Sequence, residues 1–233
     1  MNSREFREGL KDGIPICLGY LAVSFAFGIQ ALKAGIGVFD ATLISLTNVT
    51  SAGQFAGLGV IASSGSYGEM AMVQSIINLR YALMSAAVSQ KLTGVSIPKR
   101  LLMAHGMTDE IFGISIARKQ LSPFYTYGAM LISIFGWVFG TFLGASAGQI
   151  LPERLINALG VALYGMFIAI VVPVAKQNRK ILISSLLACA LSAVCAVTPV
   201  LKDISGGLRI ILVTVLVAGG AAALFPFSAE TEG

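Results

Sequence analysis

Charge is what this chain has least of. Asp, Glu, Lys and Arg make up 12% of its 233 residues, against roughly 25% in an ordinary soluble domain. Apolar side chains make up 56%, with 26 glycines besides. So few ions cannot cover the surface of a soluble protein of this size, so lipid must cover much of it. Histidine is nearly absent, and the single His105 excludes a metal site built on clustered imidazoles. The three cysteines, Cys17, Cys189 and Cys195, lie in apolar stretches without the paired spacing of a zinc or redox site. They read as small, buried packing residues. A Walker A loop, a nucleophile elbow, a zincin helix and a Rossmann fingerprint are all missing. The chain is therefore expected to need no cofactor and to be no enzyme. The net charge of +5 comes without an aromatic-studded basic patch, so nucleic acid is not an expected partner.

Long apolar runs are what the chain has in place of charge. Crossing the hydrocarbon takes about 20 mostly apolar residues. Seven stretches meet that length: Ile14–Leu32, Ala41–Ala62, Met70–Gln90, Thr126–Gly148, Ile156–Ala175, Ile181–Leu201 and Leu208–Phe227. Lipid cannot satisfy backbone amides and no alternating strand pattern is present, so helix is the default. Arg4, Arg7 and Lys11 could open a secretory signal. Interleaved Glu5, Glu8 and Asp12 and the long run after them favour an uncleaved first helix. The expectation is an all-α, polytopic membrane protein of about seven transmembrane helices. It forms a single domain over residues 1–233, multi-pass in the cell (inner) membrane.

The polar interval Lys91–Ser122 contains an apolar piece, Leu101–Ala117, interrupted by His105, Gly106, Asp109 and Glu110. A broken span, a re-entrant pair of half-helices and an interfacial helix all fit it. With seven crossings, Lys and Arg concentrate on the side of Lys91–Ser122, which the positive-inside rule puts in the cytoplasm. That count leaves the N-terminus outside, unless an early segment is re-entrant. Gly19–Gly28 and Gly136–Gly148 share an aromatic-and-glycine composition, so inverted repeats are among the architectures open to the chain.

Polar groups deep in apolar spans carry the chemistry. The second span reads Thr47-Asn48-Val49-Thr50-Ser51-Ala52-Gly53-Gln54 at its centre. Polar side chains at that depth need partners, and glycines let the helix break and free backbone groups for a solute. A Gly53-xxx-Gly57 packing face is the plainer alternative. The third span places Asn78 and Arg80 centrally. A guanidinium there costs roughly 3 kcal/mol on insertion scales, so it requires a carboxylate, carbonyls or a bound anion. Asp109, Glu110 and Glu69 are the candidate counter-charges, and a structural ion pair is as good a reading as a gate. Thr108-Asp109-Glu110 fits either a helix N-cap or a protonatable group. Gly136, Gly140, Gly144 and Gly148 form a stripe for close helix packing.

Taken in order, Ser51-Ala-Gly-Gln-Phe-Ala, Asn78-Leu-Arg80-Tyr81 and Thr108-Asp109-Glu110 make the chain resemble the AzlC-type family. That family is the large subunit of two-component branched-chain amino acid exporters. Tyr81 departs from the histidine often found there, so a shared proton route at that position does not carry over. The resemblance implies efflux of Leu, Ile and Val, with Met a further candidate, driven by an ion gradient. It also implies a small hydrophobic partner subunit of the AzlD type. On this reading Asn48, Thr50, Ser51, Gly53, Gln54, Asn78 and Arg80 bind the amino acid. Asp109 or Glu110 couples protons or pairs with Arg80. A non-transporting scaffold or regulatory subunit is the alternative from another class; an intramembrane enzyme using His105 is a third.

Overall fold

The computed structural model describes residues 2–148, 178–198 and 206–224, together with 150, 152, 154, 168, 171, 172, 175, 176 and 204. Most of the expected span Ile156–Ala175 lies outside them, as do the ends of Ile181–Leu201 and Leu208–Phe227. Every regular element among the described residues is a helix. Five of these are long and apolar enough to cross a membrane: α1 (Asn2–Lys33), α4 (Tyr67–Gln90), α7 (Pro123–Ala147), α8 (Arg179–Val197) and α9 (Gly206–Leu224). Four shorter helices lie between them: α2 (Val38–Thr47), α3 (Ser51–Ala62), α5 (Ile97–His105) and α6 (Asp109–Ile116).

The centre of the molecule is a contact of backbone on backbone between α1 and α7. Gly128 lies against Phe6, Gly136 against Cys17, Gly140 against Leu21 and Gly144 against Phe25. The numbers rise together, so the two helices run in the same direction. Lacking Cβ atoms, the glycines let the axes approach closely, and lipid-buried helices rely on such packing because no hydrophobic force drives them together. The two glycine-rich segments that look alike in sequence are thus parallel neighbours.

The second apolar stretch does not cross. Within α2, Ser45 bonds Thr141 (2.7 Å), and Ala41 packs with Phe27 and Ala145 nearer the C-terminal ends of α1 and α7. So α2 descends from that end towards the middle. The chain is extended at Thr50, and α3 returns: Gln54 meets Trp137 (2.7 Å), and Leu58 is back in the cluster with Ala31 and Ala41. At 1.5 Å per residue the two helices are about 15 and 18 Å long, each roughly half the hydrocarbon thickness. The expected break is present, and it turns the chain around.

Residues 97–116 do the same from the other end. The Lys99 carbonyl accepts from Tyr127 (2.9 Å) near the start of α7, while Gly106 lies against Met130 and Ile134. Thr108 then meets Tyr20 at mid-height (2.6 Å). From there α6 descends until the Ile116 and Arg118 carbonyls receive Lys91. Leu101–Ala117 is therefore a re-entrant pair of half-helices. The two pairs enter from opposite ends, so an inverted relation does exist, between α2–α3 and α5–α6. Each pair has its own apolar cluster, Phe27, Ala31, Ala41, Leu58 and Ala145 at one end, and Val88, Leu92, Met103, Met107, Ile111 and Met130 at the other.

Two re-entrant pairs change the topology expected from charge. Arg118 pairs with Glu8 (2.9 Å) and Tyr125 donates to Asp12 (2.7 Å). The start of α1 therefore shares an end with the loop after α6. Arg4, Arg7, Lys11, Lys91, Lys99, Arg100, Arg118 and Lys119 all gather there, and the positive-inside rule assigns that end to the cytoplasm. The N-terminus is on the same side as Lys91–Ser122, not opposite it. Cysteines placed at Arg4 and Lys119 in a cysteine-free background will react with an impermeant maleimide from the same side of the membrane, and one at Ser64 from the other. Labelling of Arg4→Cys and Lys119→Cys from opposite sides would contradict the parallel α1–α7 pair.

The last two described helices pack on each other, and α9 also lies against α3 and α4. Gly207 lies beside Glu69 and Val73 at the non-cytoplasmic end. Residues Ile183 and Leu187 of α8 share a groove with Gly220 and Leu224 of α9. Cysteine placement corrects one expectation: Cys195 is buried, Cys17 only half-buried and Cys189 exposed on α8.

Candidate functional site

Both re-entrant tips end at the level of Tyr20 and Trp137, whose rings meet edge to face at 5.4 Å. Between them lies a cavity of about 200 Å³. Its walls are Val49, Ser51 and Ala52 from the first tip, Thr108, Asp109 and Glu110 from the second, Arg80 and Tyr81 from α4, Tyr20, Trp137 and Val171. A single water needs only about 10–15 Å³ of such space, so the cavity admits a small polar solute.

Charge is arranged asymmetrically around it. Arg80 stands about 20 Å along α4 from its first residue, and its guanidinium reaches Asp109 of α6 at 2.7 Å. Both side chains remain a little under half exposed, at 43% and 46%, so the pair opens to the cavity and is not sealed in the packing. A second guanidinium nitrogen donates to the Tyr81 hydroxyl at 3.0 Å. Glu110 turns the other way and accepts from the Tyr20 hydroxyl, whose oxygen also lies 2.6 Å from the Thr108 hydroxyl. Thr108 caps α6 through the Ile111 amide, which holds both carboxylates at the positive end of that helix. Facing them is the start of α3, where the first amides have no partner within the helix. One wall of the cavity thus offers donors and the other offers carboxylates.

A chain of amides joins the first tip to α4. Thr50 donates to Asn78 (2.7 Å), Asn78 to Gln74 (3.0 Å), and Gln74 to the Gly53 carbonyl (2.7 Å). A Cβ on Gly53 would strike the Gln74 and Thr50 side chains, and one on Gly57 would press on Gln74 at 3.2 Å. A second set lies behind the cavity: Gln54 donates to Ser45 (3.0 Å) and accepts from Trp137 (2.7 Å), while Ser45 bonds Thr141. Removing one partner of a buried bond costs about 1–3 kcal/mol, so these sets hold the broken backbone in place.

The sequence-derived residues therefore separate into groups. Ser51, Arg80, Asp109 and Glu110 line the cavity. Thr50, Gly53 and Asn78 belong to the amide chain that fixes its wall. Gln54, 2% exposed, has both ends of its amide committed and does not reach the cavity. Asn48 is in the break, where its carbonyl accepts the Thr50 amide (2.9 Å). Of the candidate counter-charges, Asp109 is the one on Arg80, while Glu69 is buried at the far end of α4. His105 is exposed at the end of α5 and outside the cavity lining. No grouping of His, Cys, Asp and Glu fit for a metal occurs among the described residues. Sequence reasoning missed Tyr20 and Trp137, which look like packing in apolar helices. Their polar tips were the available signal, since a buried Tyr O–H or Trp N–H normally finds a partner.

A family model described as AzlC protein matches residues 15–151. The chain belongs to the AzlC family. That match takes in both re-entrant tips and every described cavity-lining residue except Val171. It ends before α8. Among curated relatives, this AzlC-family chain is 28% identical to "Inner membrane protein YgaZ" of Escherichia coli over 201 residues, 82% of either protein. It is 33% identical to an "Uncharacterized membrane protein" of Archaeoglobus fulgidus over 179 residues, 76% of this chain and 79% of that one. It is also 27% identical to an "Uncharacterized membrane protein" of Helicobacter pylori, over 62% of this chain and 67% of that one. No solved structure matches the chain. The protein is a multi-pass membrane protein of transporter-like architecture.

Proposed function

We propose that this AzlC-family protein is a secondary exporter of branched-chain amino acids, not an enzyme. It works in the cell inner membrane with a small hydrophobic subunit of the AzlD type. The observation that carries the reading is the mid-height cavity, with amide donors on one wall and carboxylates on the other. A zwitterion needs both. The start of α3 at Ser51–Ala52, with Arg80, suits the carboxylate; Asp109, Glu110 and the Tyr20 hydroxyl suit the ammonium group. Helix termini meeting at a broken, mid-membrane site are a recurrent way for transporters to hold a solute while the flanking elements rock around it.

Arg80 has a dual role on this reading. With the site empty it neutralises Asp109; with a carboxylate present, the two anions share it. Proton uptake by Asp109 or Glu110 would then change the balance of charge in the cavity, which is how an ion gradient drives release. An open cavity lined by these groups favours transport over a scaffold, whose buried polar groups need pair only with protein. The partner subunit is what the resemblance to the family implies, and the name of the Escherichia coli relative supports the inner membrane.

The test is efflux of radiolabelled leucine, isoleucine and valine from loaded vesicles containing the chain and a co-expressed small subunit. Efflux that collapses when the proton and sodium gradients are dissipated is expected. Vesicles that retain all three amino acids as well as protein-free ones do would overturn the reading.

A further inference from the structure

A second chamber, of about 370 Å³, adjoins the polar cavity and shares Tyr20, Ser51, Glu110 and Trp137 with it. Its remaining walls are Pro15, Ile16, Gly19 and Val23 of α1. These residues recur at helical spacing on a face of α1 turned away from the glycine contact with α7. Among the described residues the polar groups are confined to the shared border, and beyond them the chamber is lined by aliphatic side chains, a proline ring and glycine. One cavity suits the two charged ends of a zwitterion; the chamber beside it suits something apolar attached to them.

Gly19 is the position that sets its size. The other glycines of α1, Gly9, Gly13 and Gly28, touch α7 so closely that a Cβ on any of them would strike backbone. Gly19 is different: among the described residues, a Cβ there meets nothing within 4 Å. Close packing does not require glycine at this site. A glycine also weakens a helix interior relative to alanine. What its missing side chain leaves is open space in the chamber wall.

We propose that the Gly19 chamber receives the substrate's apolar side chain, and that Gly19 determines how large that side chain can be. The inference rests on the amino-acid reading of the polar cavity. A side chain placed at position 19 projects into the chamber, so large substrates lose their space before small ones do. Hydrophobic pockets discriminate a missing methylene by roughly 10- to 200-fold, and filling the wall should act on the same scale.

The experiment compares wild type, Gly19→Ala, Gly19→Leu and Gly59→Leu. Gly59 serves as the control because a Cβ there also meets nothing within 4 Å among the described residues, and it lines neither cavity. In loaded vesicles the ratio of leucine to alanine efflux should fall about tenfold or more in Gly19→Leu and less in Gly19→Ala, with Gly59→Leu like wild type. Trp137 is the one tryptophan of the chain and borders both spaces, so emission from the purified full-length chain gives an independent readout. Leucine should shift that emission in wild type but not in Gly19→Leu, while alanine shifts it in both. An unchanged leucine-to-alanine ratio in a well-expressed Gly19→Leu protein would overturn the proposal and leave the transport reading standing. If wild type moves neither amino acid and its emission responds to neither, the transport reading itself fails. Should Gly19→Leu not reach the membrane, the graded response of Gly19→Ala decides, and no shift in its ratio counts against the proposal.

Discussion

Arg80→Ala will bring leucine efflux down to the background of empty vesicles, the largest functional effect expected of any single substitution in this AzlC-family protein. The guanidinium is the positive charge of the cavity wall, and it holds Asp109 at 2.7 Å while donating to Tyr81. Removing it takes away the donor for a substrate carboxylate and leaves Asp109 without its counter-charge. An uncompensated ion inside the membrane is unfavourable, so the protein level should fall as well. The pair of variants Arg80→Ala and Arg80→Ala with Asp109→Asn separates these effects. The double variant should recover protein in the membrane, since the stranded carboxylate is gone, but it should not recover efflux. Arg80→Lys keeps a point charge and loses the planar fork that reaches Asp109 and Tyr81 together, so partial efflux is expected. Wild-type efflux from a protein carrying both Arg80→Ala and Asn78→Ala would remove the assignment of this wall.

The largest effect on stability belongs to the α1–α7 contact. In Gly144→Leu, the new side chain would start inside the Phe25 backbone, which has no rotamer to turn away. Overpacking ordinarily costs about 1–3 kcal/mol; here the obstacle is main chain and the cost should be at the top of that range or above. Since α1 and α7 carry the walls that both re-entrant pairs lean on, the whole site should be lost with them. Thermal unfolding in detergent, followed by Trp137 emission, should show Gly144→Leu far below wild type or absent from the membrane. Gly59→Leu should unfold close to wild type. Equal melting of all three proteins would show that α1 and α7 are not packed backbone to backbone.

These two experiments probe features of very different legibility. The glycine stripe at Gly136, Gly140 and Gly144 is visible in sequence as a packing surface, because small residues every fourth position have few other uses in lipid. Its partner is not visible. A stripe says that something comes close, and any of the other spans would serve; that it is α1, in parallel, depends on how the whole chain winds. Arg80 behaves similarly. Its depth demands a counter-charge, and three acids are within reason; the start of α6 at mid-height selects Asp109 and sends Glu110 to Tyr20. Gln54, polar and central in its span, resembles a ligand-binding side chain until its two amide ends are seen to be taken by Ser45 and Trp137.

What the amino-acid sequence determined by itself was the solvent, the helical class, the positions of the breaks and which residues could not be left unpaired. Each of these follows from local costs: apolar length against bilayer thickness, glycine against helix, buried charge against lipid. Only the tertiary structure decided whether each break lets the chain cross or sends it back. Hydropathy records how deep a residue sits and carries no sign for direction, so a span of twenty-two residues and a hairpin of two half-spans look the same. That single ambiguity moved the N-terminus to the other side of the membrane and brought two distant tips together around one cavity.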